Sequence, residues 1–191
     1  DILIAVNIDL AMPSAKFDIV EGLGETVKSV EVMFEQREVS VVNSSFIDSF
    51  EAIAFRGDEV YIAIEIRYPD SMATLLARGH VNPLTKEVVL PEQNLVHLPV
   101  PKFVDNMSYE SLLINKTDVF AFFESNGRNL VDSAYALSYS LKSKFVKSIA
   151  LPSIEYRITD VTKIENNKFW AINYFFPRDS LSLKPSRDLL A

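Results

Sequence analysis

The chain has 191 residues, 48% of them hydrophobic and 24% charged, and its 19 Lys and Arg against 26 Asp and Glu give a net charge of −7. That is enough apolar material for one core, and too acidic a balance for wrapping nucleic acid or coating an anionic membrane. There is no cysteine, there are two histidines, and no apolar run nears the roughly 20 residues of a membrane span, so disulfide scaffolds, thiol nucleophiles and multi-histidine metal centres are set aside.

Five glycines leave no GxGxxG or GxxxxGK[ST] phosphate loop, and neither a GxSxG elbow nor an HExxH helix is present. The opening Asp1, in place of Met, is read as the mark of a processed or cut chain. Function must therefore be sought in organisation. In chain order, the first apolar run is ILIAVN, Ile2 to Asn7, followed by runs at Lys16 to Leu23 and Val27 to Phe34 around a Gly24-Glu25-Thr26 turn. Next comes FEAIAFRGDEVYIAIE, Phe50 to Glu65, two runs rich in β-branched and aromatic residues around Arg56-Gly57-Asp58. A glycine flanked by such runs is hairpin chemistry, and this tripeptide is read as a turn rather than an adhesion motif. Runs at Met72 to Asn82 and Glu87 to Leu90 follow, then a linker near Val104 to Ser111.

A second hairpin, YESLLINKTDVFAFFE, spans Tyr109 to Glu124 around Asn115-Lys116-Thr117-Asp118. Runs at Ser133 to Leu141 and Phe145 to Leu151 flank Lys142-Ser143-Lys144. The third hairpin, ITDVTKIENNKFWAIN, spans Ile158 to Asn173 around Glu165 to Lys168, with Trp170 expected in its core. The nearly continuous apolar runs predict strands buried on both faces. No stretch has convincing helical periodicity.

The hairpins align. Each carries an acid near its start (Glu51, Glu110, and Asp160 one place later) and a polar residue at its end (Glu65, Glu124, Asn173). ILIAVN matches the second half of this frame, and each hairpin precedes two further strands. The expected fold is all-β, built of β-propeller blades of four antiparallel strands, with units at approximately 1–49, 50–108, 109–157 and 158–191. The alternative is a β-sandwich or other meander whose hairpins share only turn chemistry. Three full repeats fall short of the 4–8 blades of a ring. A fragment of a longer propeller, or a ring completed by self-association through open edges, is therefore expected.

The segments EAIAFRGDEVYIAIE and ITDVTKIENNKFWAIN resemble blades of the phytase-like propellers, the "esterase-like activity of phytase" family. The family's Glu-Gly is replaced by Glu51-Ala52 and Glu110-Ser111. The resemblance implies calcium held by carboxylates around a channel, hydrolysis of phosphate esters, and an extracytoplasmic location, periplasmic or secreted.

Blade geometry brings the start of a first strand beside the end of the second. That pairs Glu51 with Glu65 and Glu110 with Glu124, and sets Asp160 near Asn173. Such a ring of oxygens suits a hard cation such as Ca2+; the plainer reading is that the acids end strands at a wetted rim. Arg67, Arg128 and Arg178 follow the second strands, where they are expected either to bind a small anionic ester or to pair with the rim acids. His80 and His97 fall in or after outer strands, away from the channel. The rival function is a non-catalytic module that binds a protein or glycan at the same rim.

Overall fold

The structure, a computed structural model, describes residues 2–8, 14–21, 28–33, 47–82, 84, 88–91, 94–101, 104, 106–164, 168–174, 179 and 183. For the first three segments it gives the backbone strands alone. These are β1 (Ile2–Ile8), β2 (Ser14–Glu21) and β3 (Lys28–Met33), an antiparallel meander in which every residue of β1 has a partner on β2.

The first aligned hairpin forms where expected. Strand β4 (Ile47–Arg56) and strand β5 (Glu59–Tyr68) are joined by Gly57 and Asp58. Gly57 has φ 64°, in the left-handed region, which is why the two-residue turn takes glycine there. Strand β6 (Ser71–Val81) pairs with the whole length of β5. The expected fourth strand is reduced to β7 (Val88–Val89), which pairs with the far end of β6 and runs parallel to β3. A strand that the sequence pattern does not announce, β8 (Leu95–Leu98), takes the remaining length of β6 between Thr74 and Ala77.

Gly79 admits β7. A Cβ at that position would stand 2.1 Å from the Val89 carbonyl oxygen and 2.6 Å from Leu90 Cδ2.

The second hairpin is β9 (Tyr109–Ile114) and β10 (Asp118–Phe123), continued by β12 (Tyr135–Ser140) and β13 (Val146–Ala150) as a four-stranded meander in the order β13-β12-β10-β9. At its turn, Asn115 Oδ1 accepts the Thr117 and Asp118 amides at 2.8 and 2.7 Å. This side chain closes the loop as a backbone turn would. The third hairpin pairs β14 (Ile154–Val161) with β15 (Ala171–Tyr174) across a longer connection than expected. Short β11 (Ser125–Asn126) adds to the other side of β14. Trp170 is not in a core; it is 82% exposed, beside an exposed β15.

The sheets pack face to face, with β9 lying against both β4 and β14. Because side chains alternate along a strand, β5 serves two cores. Val60, Ile62, Ile64 and Ile66 face one core, while Tyr61 and Ala63 face the second, where they meet Val119, Ala121 and Phe123 of β10. Phe122 of β10 and Leu113 of β9 point the other way, onto Ile158 of β14. The expectation of strands buried on both faces holds for β5, buried without interruption from Val60 to Ile66. The architecture is all-β and mainly antiparallel. Among the described residues the sheets close into neither a barrel nor a ring.

Candidate functional site

Each of the three hairpins carries a β-bulge at the same phase. The pairing skips Glu51 between Phe50↔Ile64 and Ala52↔Ala63, Glu110 between Tyr109↔Phe123 and Ser111↔Phe122, and Thr159 between Ile158↔Asn173 and Asp160↔Ile172. A bulge bends the strand and re-aims its side chain. The three hairpins thus share one backbone register. It also corrects the alignment of the third unit. Thr159, not Asp160, is the counterpart of Glu51 and Glu110, and Tyr174, not Asn173, is the counterpart of Glu65 and Glu124.

Asp160 accordingly stands apart. It is exposed, and its carboxylate accepts the Val161 amide at 2.8 Å. Asn173 donates to the Glu155 carbonyl at 2.7 Å.

Among the described residues Glu65 and Glu124 are the two buried acids, 2% and 1% exposed. Around Glu65 lie Asp48, Glu51 and Arg67. Arg67 Nε donates to Asp48 Oδ2 at 2.7 Å, and its Nη2 stands 3.8 Å from Glu65 Oε1. Ser49 Oγ donates to Glu51. Burial pushes the Glu65 carboxyl up to about 8, with a hydrogen bond to Asp48 and the charges of Glu51 and Asp48 adding to it and Arg67 opposing.

Glu124 lies in a parallel arrangement. The Ser108 amide donates to its Oε1 at 3.0 Å, and Arg157 Nη1 pairs with its other oxygen. The same guanidinium donates from Nε to Asp179 at 2.6 Å and stands 3.9 Å from Glu110. Burial, then the neighbouring Glu110 charge, raises Glu124 to about 8 against the pull of Arg157. Glu110 is raised too, first by burial and next by Glu51, so acids of adjacent hairpins face one another.

Asp48, Arg157 and Asp179 are the members that sequence reasoning missed. Arg157 pairs with Tyr174 as Ser49 pairs with Glu65, and the Glu124 amide bonds to Ser108, so Arg157 occupies the position of those serines. The register signal is visible only once the bulge is placed. Arg67 is in the site, but bound to its acids rather than turned to a ligand. Arg128 is exposed on the turn after β11, away from these contacts, and Arg178 lies outside the described residues. His80 and His97 are on β6 and β8.

The donors are hard carboxylate oxygens, the chemistry that calcium takes. Their placement is less suited. Among the described residues no three Asp, Glu or His side chains are gathered as a metal site, and the two guanidiniums already supply positive charge. Both oxygens of Glu124 already accept, one from the Ser108 amide and one from Arg157.

Comparison of the chain with family models, with curated proteins and with solved structures finds no match.

Proposed function

We propose that the chain is a run of propeller-type blades, extracytoplasmic, whose strand-end face binds a divalent cation such as calcium. Hydrolysis of a phosphate or other ester at that face belongs to the same proposal through the phytase-like resemblance. The observation that carries the cation is a charge imbalance. Asp48, Glu51, Glu65, Glu110, Glu124 and Asp179 converge on one face, and among the described residues Arg67 and Arg157 are the cations paired with them. Without a cation the excess negative charge is relieved by protons on buried acids; a cation relieves it at the Glu51–Glu110 confrontation, with Glu65 behind. Binding there requires these side chains to draw together.

The test is a melting curve in EGTA, then with calcium or magnesium restored. A cation that binds only the folded chain raises the melting temperature by mass action. A calcium-specific rise that is lost in Glu51→Ala/Glu110→Ala is expected. No shift at millimolar calcium would end the cation proposal. The second reading, a protein-binding module, is favoured by one feature: Trp170 and Ile172 are exposed beside and on β15.

A further inference from the structure

The turn end of the sheets carries the opposite charge. Alternation along the strands puts Arg56, Glu59, Tyr61 and Arg78 on one face of the β4-β5-β6 sheet. Arg56 lies opposite Glu59, Tyr61 lies opposite Arg78, and Glu59 and Tyr61 are two residues apart. That face looks across the second core toward Tyr139 on β12.

Glu59 anchors both guanidiniums. Its Oε2 accepts from Arg56, at 2.7 Å for Nε, and its Oε1 accepts from Arg78, at 3.0 Å for Nε. Arg78 Nη1 is left without a partner, and Arg56 Nη1 makes only a long 3.4 Å contact to the Lys116 carbonyl. From the opposing sheet comes Lys144, its Nζ 5.8 Å from the centre of the Tyr139 ring and its backbone held in the left-handed region at φ 62°. The Lys144 ammonium is pushed down by burial and by repulsion from Arg78 and Arg56. Two guanidiniums therefore hold one carboxylate, with the Lys144 ammonium within their electrostatic reach.

Beside the two guanidiniums is a buried group with nothing to do. Tyr61 is 0% exposed, its phenol lies within the electrostatic reach of Glu59, Arg78, Arg56 and Tyr139, and its hydroxyl has no hydrogen-bond partner. An orphaned buried donor is costly, and it marks a place where an acceptor is missing.

We propose that Arg56, Arg78 and Lys144, with the orphaned Tyr61 hydroxyl beside the two guanidiniums, form a binding site for a compact tetrahedral dianion of the phosphate class. The surplus of two positive charges matches a dianion, and the planar guanidinium edges and the phenol O–H are donors suited to its oxygens. The site is independent of the acidic face. Glu59 opens β5 and Glu65 lies six residues further along it, about 20 Å away at the rise of an extended strand.

Titration calorimetry with inorganic phosphate and with glycerol phosphate, against chloride at matched ionic strength, tests this. Both phosphates are expected to bind where chloride does not; binding of inorganic phosphate alone would restrict the site to the free ion. Lys144→Ala is expected to weaken binding about tenfold or more, the loss of one charge-assisted bond. Tyr61→Phe separates the site from folding. It removes an unsatisfied hydroxyl, so the melting temperature without ligand should hold or rise while phosphate affinity falls. Phosphate binding no stronger than chloride, or binding unchanged in both variants, would overturn the proposal.

Discussion

Glu65→Gln isolates the consequence of burying an acid at the end of β5. The amide has the shape of the protonated carboxyl and can donate to Asp48 as that acid does. What it loses is the ability to ionise. In the folded chain Glu65 titrates at about 8, above the 4.5 of an unperturbed carboxyl. A folded-state value raised in this way contributes stability that is fully present below pH 4.5. That stability is lost as the pH rises through about 8, because the unfolded chain ionises freely and the folded one resists. Each pH unit inside that window costs the wild type on the order of 1 kcal/mol from this group, at 1.36 kcal/mol per pKa unit. Coupling to Asp48 and Glu51 spreads the effect, so about 2 kcal/mol between pH 5 and pH 8 is the expected share of Glu65. Urea unfolding followed by far-ultraviolet circular dichroism at pH 5, 6.5 and 8 measures it. Glu65→Gln should track the wild type near pH 5 and exceed it at pH 8. At roughly 2–4 °C per kcal/mol for a chain of this size, the gain is about 4–8 °C in melting temperature. Parallel curves for the two proteins across the whole range would refute the reasoning, since they would mean that Glu65 ionises in the fold without penalty.

Arg157→Met strips the counter-charge from Glu124 and Asp179, and a buried pair broken on one side costs about 3–5 kcal/mol; the loss should be smaller at pH 5.5 than at pH 8, because Glu124 can then take a proton instead, and equal losses at both would contradict the electrostatic account. Gly79→Ala drives a methyl into the Val89 carbonyl and should cost about 2 kcal/mol or more by prying β7 from β6, read as a lower urea midpoint. The Thr74 and Ser108 hydroxyls bond at 2.7 Å in full burial, so Thr74→Val should cost about 1–3 kcal/mol by orphaning Ser108. Adding Ser108→Ala to Thr74→Val should recover part of that loss, and a strictly additive double variant would show that the pair does not interact.

The acidic face shows how a one-residue feature divides what a sequence can say. Pattern alone pairs Glu51 with Glu65 and Glu110 with Glu124, and in the structure each acid feels the charge of its partner. Counting one residue further sets Asp160 with them, and it falls outside. Strand side chains alternate with a period of two, so a shift of one residue moves a side chain to the other face. The bulge at Thr159 sets that shift. A bulge is a choice of pairing, fixed by how two strands and their neighbours pack, and no local run of residues reveals it. β8 escaped notice for a related reason: Leu95–Leu98 is too short to carry a pattern and is a strand only because β6 has an edge left over.

From its residues alone the chain determined its strands and its turns. β-branched and aromatic runs favour extended backbone, Gly57 takes a left-handed turn that other residues pay for, and Asn115 closes its own loop. These are local matters of sterics and hydrogen bonding, complete within a few residues. Tertiary structure decided which charges meet. Arg157 enters the acidic face from a third hairpin, in a position that the other two give to serine. Arg56 and Arg78 come from different strands to meet on one carboxylate, Glu59. Charge acts through space and through burial, and neither distance nor burial exists until the sheets have packed.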